Sequence, residues 1–207
     1  AAVEGFVARD LAEQDLEILR AVCTLQCVAG WYKAGVPIAR LSCDCHQKLL
    51  DPDHEDTLVS VNNLGMLLND MGDYKEAELL HRRGLEASER TLGPDHPDTL
   101  TSLNNLGLLL RKMGDYEGAE LLHRRDLEAS ERTLGPDHPH TLTSLNNLGL
   151  LLSEMGNYEG AEPLLRRDLE ASERTLGPDH PDTLTSLNNL GLLLSEMGNY
   201  EGAEPLL

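Results

Sequence analysis

Cysteine, histidine and asparagine carry most of the chemistry this sequence has to offer, and each falls in a fixed pattern. Cys23 and Cys27 stand four residues apart, and Cys43-Asp44-Cys45-His46 follows. Four thiolates and an imidazole have the composition of a tetrahedral zinc site. Their spacing is not that of a zinc finger or ribbon, however. Carried forward by the spacing described below, Cys23 takes the place of Gly65 and Cys45 that of Ala87. The four cysteines therefore read first as small buried residues. Cys23, Cys27, Cys43 and Cys45 are kept as metal candidates, and no metal or cofactor is assigned.

Asp95-His96-Pro97-Asp98 is also ligand-like, but it recurs with small changes at 53–56, 137–140 and 179–182. A motif repeated at every linker points to architecture, with Asp capping a helix and Pro setting its first turn. His81 and His123 occupy a position that is Leu165 further on. A place that accepts leucine is a packing position, not a catalytic one. No phosphate loop or nucleophile elbow stands out, and the sequence reads as non-enzymatic.

The asparagines remain. TLTSLNNLGLLL is written letter for letter at 99–110, 141–152 and 183–194, and TLVSVNNLGMLL stands at 57–68. Each copy sets two adjacent amides in a leucine-rich run: Asn62-Asn63, Asn104-Asn105, Asn146-Asn147 and Asn188-Asn189. An amide without a partner is costly to bury. It also offers both donors and an acceptor. A row of amides can therefore pair with the backbone of an extended peptide without selecting its side chains, or can tie adjacent helices together.

What positions these residues is a repeat. Asn62, Asn104, Asn146 and Asn188 lie 42 residues apart, as do Tyr74, Tyr116, Tyr158 and Tyr200. The copies run 53–94, 95–136 and 137–178, with a truncated one at 179–207. A degenerate first repeat at 11–52 follows an N-terminal segment at 1–10. No polar terminal cap is visible, so the sequence reads as part of a longer array. Each copy predicts two helices. In the copy at 95–136 the first begins near His96-Pro97-Asp98 and stops at Gly114, a left-handed C-terminal glycine. Asp115 caps the second, which ends before Gly135-Pro136. On its outer face Arg124, Glu128 and Arg132 have ion-pair spacing. A helix pair this short buries its apolar face only by stacking on its neighbours, so one continuous all-α solenoid is predicted.

At roughly 100° per residue, Leu103, Leu106, Gly107 and Leu110 form one stripe, the core face. Thr101, Asn104, Asn105, Leu108 and Lys112 fall on the other side. The copies diverge at the end of this helix, as Asn69-Asp70, Arg111-Lys112, Ser153-Glu154 and Ser195-Glu196.

The period alone also suits HEAT and armadillo repeats. Leu103, Leu106 and Gly107, followed by Tyr116 and then by Ala119, twelve residues after the glycine, resemble instead the tetratricopeptide repeat. The longer unit has LNNL in the first helix, YEGAE opening the second and LGPDHPDTL between copies. It resembles the arrays of kinesin light chains and is similar to nephrocystin-type and nucleotide-sensor arrays. Two features depart from that pattern. Gly84, Asp126 and Asp168 stand where the second helix usually has a small Ala, so an acid there needs a partner or a looser joint. The heptad segment that holds a motor heavy chain does not occur.

The resemblance implies a right-handed superhelical solenoid of antiparallel helix pairs whose first helices line a concave groove. The groove residues would be Asn62, Asn63, Asn104, Asn105, Leu108, Arg111, Lys112, Asn146, Asn147, Leu150, Asn188, Asn189 and Leu192. The expected function is a non-catalytic interaction scaffold of the kinesin light chain-like cargo or adaptor type, holding an extended peptide. The alternative is a ligand-free spacer or self-associating arm of a larger sensor or signalling protein.

Charge narrows the partner. Seventeen Lys and Arg against 36 Asp and Glu give −19. That disfavours nucleic acid and anionic membrane surfaces, which both attract basic protein. It favours a basic or mixed-charge peptide. With cysteines only at 23–45 there is no disulfide framework, and no signal peptide or membrane span is visible. Together these predict a cytoplasmic protein.

Overall fold

The computed structural model describes residues 32–206, and all regular structure among them is helical. Cys23, Cys27 and the first half of the predicted first repeat lie outside the described residues. The chain forms two compact units, Ala1–Leu109 and Leu110–Leu207. The helices are α1 (Tyr32–Leu49), α2 (Glu55–Met71), α3 (Tyr74–Thr91), α4 (Pro97–Met113), α5 (Tyr116–Thr133), α6 (Pro139–Glu154), α7 (Tyr158–Leu176), α8 (Pro181–Glu196) and the short α9 (Tyr200–Ala203), followed by a 3-10 turn at Glu204–Leu206. In the first unit α1 packs on α2 and α2 on α3. In the second, α5, α6, α7, α8 and α9 pack each on the next.

Each first helix ends on a glycine in the left-handed region. Gly72 has φ +83° and donates to Asn69 O, while Asp73 N donates to Leu68 O at 2.9 Å. This wraps the carbonyls that a helix end leaves open. The second helices start as predicted. Asp115 Oδ1 accepts from Gly118 N at 3.0 Å, and Asn157 Oδ1 does the same for Gly160 N at 3.1 Å.

The starts of the first helices differ from the sequence reading. The cap is the histidine and not the aspartate. His54, His96, His138 and His180 each accept at Nδ1 from the backbone N–H two residues on, at 3.1–3.2 Å. A neutral imidazole can serve because one ring nitrogen keeps a lone pair. The aspartates before the caps point elsewhere: Asp53 pairs with Arg90 and Asp137 with Arg174. The outer-face pairs also run the other way from expectation. Arg124 turns back to Glu120, as Arg82 does to Glu78 and Arg166 to Glu162.

The predicted core stripe is buried, with Leu103, Leu106 and Leu110 at most 2% exposed. Val61, Leu64, Leu67, Leu68, Ala77 and Leu109 make the core of the first unit, with Ala39 and Cys43 from α1. Leu145, Leu148, Leu152, Leu165, Leu190 and Leu193 are central to that of the second.

Two glycines show how tightly the pairs close. A Cβ on Gly149 would lie 2.7 Å from Leu165 Cδ2 and 2.8 Å from its Cγ, and Leu165 is wholly buried with nowhere to move. On Gly84 a Cβ would meet only Val61 Cγ1, at 3.9 Å. Gly149→Ala is therefore expected to destabilise the chain by about 1–3 kcal/mol through overpacking. Gly84→Ala, in mid-helix with room to spare, should stabilise it by about 0.5–1 kcal/mol. Urea denaturation of the two variants checks both signs.

Candidate functional site

The asparagine pairs bond to one another. Asn105 Nδ2 donates to Asn62 Oδ1 at 3.1 Å in the first unit. Asn189 Nδ2 donates to Asn146 Oδ1 at 2.8 Å in the second. Both bonds join residues 43 apart, one more than the repeat. The same offset carries Arg111 to Glu154 through Nε and Oε2 at 2.8 Å, and Ser153 Oγ to Glu196 at 3.0 Å. Neighbouring first helices thus lie side by side with a one-residue stagger. The first Asn of one copy meets the second Asn of the next.

This sorts the predicted residues. Asn62 and Asn146 each keep part of their surface open beside a cavity, and Asn188 is exposed. Asn63, Asn104, Asn105 and Asn189 are half-buried, while Asn147 is buried at 9% exposed. Leu108 and Leu150 are half-buried, and Met66 and Leu192 are exposed, so the apolar strip is present within each unit. Arg111 is held by Glu154, and this bond is the main cause that raises the pKa of Arg111 and lowers that of Glu154. Lys112 is exposed. The arginine of this basic pair is accordingly neutralised from within.

A cavity lies beside each open asparagine. In the first unit it measures about 140 Å³ and is bordered by Leu58, Asn62, Ser88, Asp98 and Thr101. In the second it measures about 430 Å³ and is bordered by Leu142, Asn146, Ser172, Asp182 and Thr185. The two sets occupy corresponding positions of their copies, so this cavity is a property of the repeat joint.

The acids in the second helices are the feature the sequence flagged without resolving. Asp126 is wholly buried. Its Oδ2 accepts from Ser144 Oγ at 2.6 Å, and its Oδ1 lies 2.9 Å from His140 Nε2. Ser130 stands behind it, its Oγ 3.5 Å from Oδ1. His140 is the one histidine among the residues Asp56, Asp98, His140 and Asp182 that share this place in the repeat. A buried acid needs such donors, and here they are supplied.

His81 and His123 are packed into the helix pairs, as their exchange with leucine predicts. The His81 ring lies where a Cβ on Gly65 would stand, 2.9 Å from Cε1. Its Nε2 and both ring nitrogens of His123 lack hydrogen-bond partners within the protein. Burial pushes each imidazole down to about 4. Cys43 and Cys45 are buried free thiols, with Cys43 Sγ accepting from Gln47. Among the described residues no three His, Cys, Asp or Glu side chains are grouped to hold a metal ion.

Two family models described as tetratricopeptide repeat match the chain. One covers residues 32–90 and 61–129, and the other covers 141–182 and 183–207. The chain belongs to the tetratricopeptide repeat family. This tetratricopeptide array has no match among curated proteins. Solved structures resemble it in fold. The nearly identical TPR-like repeats of a Podosopora anserina protein described as a kinesin light chain superpose with TM-score 0.81 at 23% identity, over 92% of this chain and 90% of that one. BtubC (BKLC) from P. vanneervenii gives 0.81 at 22% identity, over 94% and 77%. The apo form of RapI gives 0.77 at 15% identity, over 95% of this array but 53% of RapI. Tetratricopeptide folds serve in general as protein–protein interaction scaffolds without catalytic activity of their own. No helix among the described residues is long and apolar enough to cross a membrane.

Proposed function

We propose that the array is a non-catalytic scaffold that holds an extended peptide of a partner protein against its first helices, in the manner of a kinesin light chain-like adaptor. What supports this is the layout around Asn62 and Asn146. In each unit an amide is fixed at Oδ1 by the next copy and stands beside an open cavity and an apolar strip. An amide held in one orientation presents its hydrogen-bonding groups with little entropy left to lose on binding. The excess of acid selects a basic or mixed-charge segment.

The test uses peptides selected by display on the 207-residue chain. Asn104→Ala combined with Asn146→Ala should weaken them about tenfold, the worth of one or two hydrogen bonds. Unchanged affinity would mean that the partner sits elsewhere.

A second reading has its own observation. The bonds between asparagines show that these amides also fasten one copy to the next, as a ligand-free spacer would need. Leu79 and Leu121, 71% and 70% exposed, offer the apolar contacts of a self-associating arm. Sedimentation of the chain, with and without Leu79→Lys and Leu121→Lys, separates that role from peptide binding.

A further inference from the structure

The larger cavity has one acid that its counterpart lacks, Asp168, where the corresponding residue is Gly84. Asp137, Asp168 and Asp182 border it, with no basic side chain among its walls. Asp137 is already paired with Arg174. Asp168 is 3% exposed, and its Oδ2 has no hydrogen-bond partner within the protein. Burial pushes the pKa of its carboxyl up. Hydrogen bonds from Ser186 and Ser172 offset part of that, and the charge of Asp182 adds to it.

The preceding joint shows what an acid at this place takes when it is satisfied. Asp126 accepts from a serine hydroxyl on the next first helix and meets the Nε2 of His140. At the Asp168 joint the serine is kept, as Ser186, but Asp182 stands where His140 does. The imidazole has been exchanged for a second acid, and Asp182 lines the cavity of about 430 Å³ beside Asp168. Leu142 and Leu176 line the same space. They can cover the aliphatic stem of a long basic side chain while its head stays polar.

We propose that this cavity binds an organic cation, the ammonium or guanidinium group of a lysine or arginine side chain, seated between Asp168 and Asp182. The source of that cation, a partner peptide, rests on the scaffold reading above. The site itself does not, since a free alkylamine has the same chemistry. A metal ion fits less well, because its ligands would have to converge and these carboxylates are not so grouped.

The experiment is an NMR titration of the ¹⁵N-labelled chain at fixed ionic strength. The probes are n-butylguanidinium, a short peptide with one central arginine, and the same peptide with neutral citrulline. Both cations should shift the amides of Asp168, Ser172, Asp182 and Ser186 saturably, and citrulline should not. Asp168→Asn should weaken the cations about tenfold, as expected for loss of a charge-assisted bond. Asp182→His should abolish the shifts while raising the melting temperature, because it rebuilds the closure seen at Asp126. Equal shifts with citrulline, or affinity unchanged in both variants, overturns the proposal.

Tighter binding of the arginine peptide than of n-butylguanidinium assigns the source to a peptide; the reverse assigns it to a free amine and leaves the cation site standing without the scaffold reading. Selected peptides that lose affinity in the Asn104→Ala, Asn146→Ala chain, while neither cation binds, leave the scaffold reading standing and overturn the cation site.

Discussion

Between pH 7 and pH 4.5 the chain should lose much of its stability, and His81→Leu with His123→Leu should abolish most of that loss. The two imidazoles are buried and sit at about 4 when folded, against 6.5 when free. The unfolded chain therefore takes up their protons first. The stability these two histidines leave in place is intact above pH 6.5 and is lost as pH drops through the interval to about 4. That difference corresponds to about 3 kcal/mol for each histidine once both forms are titrated. Glu76 and Glu154 are lowered by their arginines, so their contribution is lost only as pH falls below the ordinary carboxylate range. Asp168 is raised and acts in the opposite sense, gaining a proton in the folded state first. Leucine at this place is the chain's own solution, since Leu165 fills it in the next copy. Removing the unpartnered ring nitrogens should also add about 1–3 kcal/mol per site at pH 7. Urea midpoints at pH 7, 6, 5 and 4.5 for both chains decide it. Parallel pH profiles would show that these histidines do not set the acid sensitivity.

The second large effect belongs to Asp126. His140→Asp would turn its joint into the arrangement found at Asp168, with two acids together and one donor removed. Losing one of its donors leaves a buried acid partly unsatisfied. The loss should be about 2–3 kcal/mol, read from the urea midpoint. A variant as stable as the parent would show that the Asp126–His140 contact contributes nothing. The same reasoning predicts that Ser144→Ala alone, which leaves His140 in place, costs less.

Much of the fold was legible because it is written as a period. Forty-two-residue spacing, small residues at Gly107 and Ala119 and glycines after each first helix together imply helix pairs. Those signals are local and repeat without change. The face of each first helix was legible for the same reason: Leu103, Leu106 and Leu110 fall on one side of a wheel and the asparagines on the other.

What escaped the sequence depends on distances between copies. That Asn62 meets Asn105 and not Asn104 follows from a one-residue stagger that no single helix displays. The capping role of His96 was hidden behind Asp95, a better cap by type but one position too early. The partner of Asp126 lay in plain view as the odd histidine of His138-Pro139-His140. Connecting the two required knowing which turn of α6 faces α5. The cavity beside Asp168 was invisible because its walls come from three helices, α6, α7 and α8, whose approach no single copy displays.

The Asp126–His140 contact also bears on how the chain assembles in the right order. Copies this alike invite mis-threading, because a helix can dock beside the wrong neighbour and find almost the same leucines waiting. The two joints of the second unit are not interchangeable in that respect. If α8 settled against α5, Asp182 would face Asp126 and two carboxylates would meet in a dry pocket without the imidazole. The single histidine at this place thus acts as a serial number for the joint between α5 and α6, marking it apart from its near-copies.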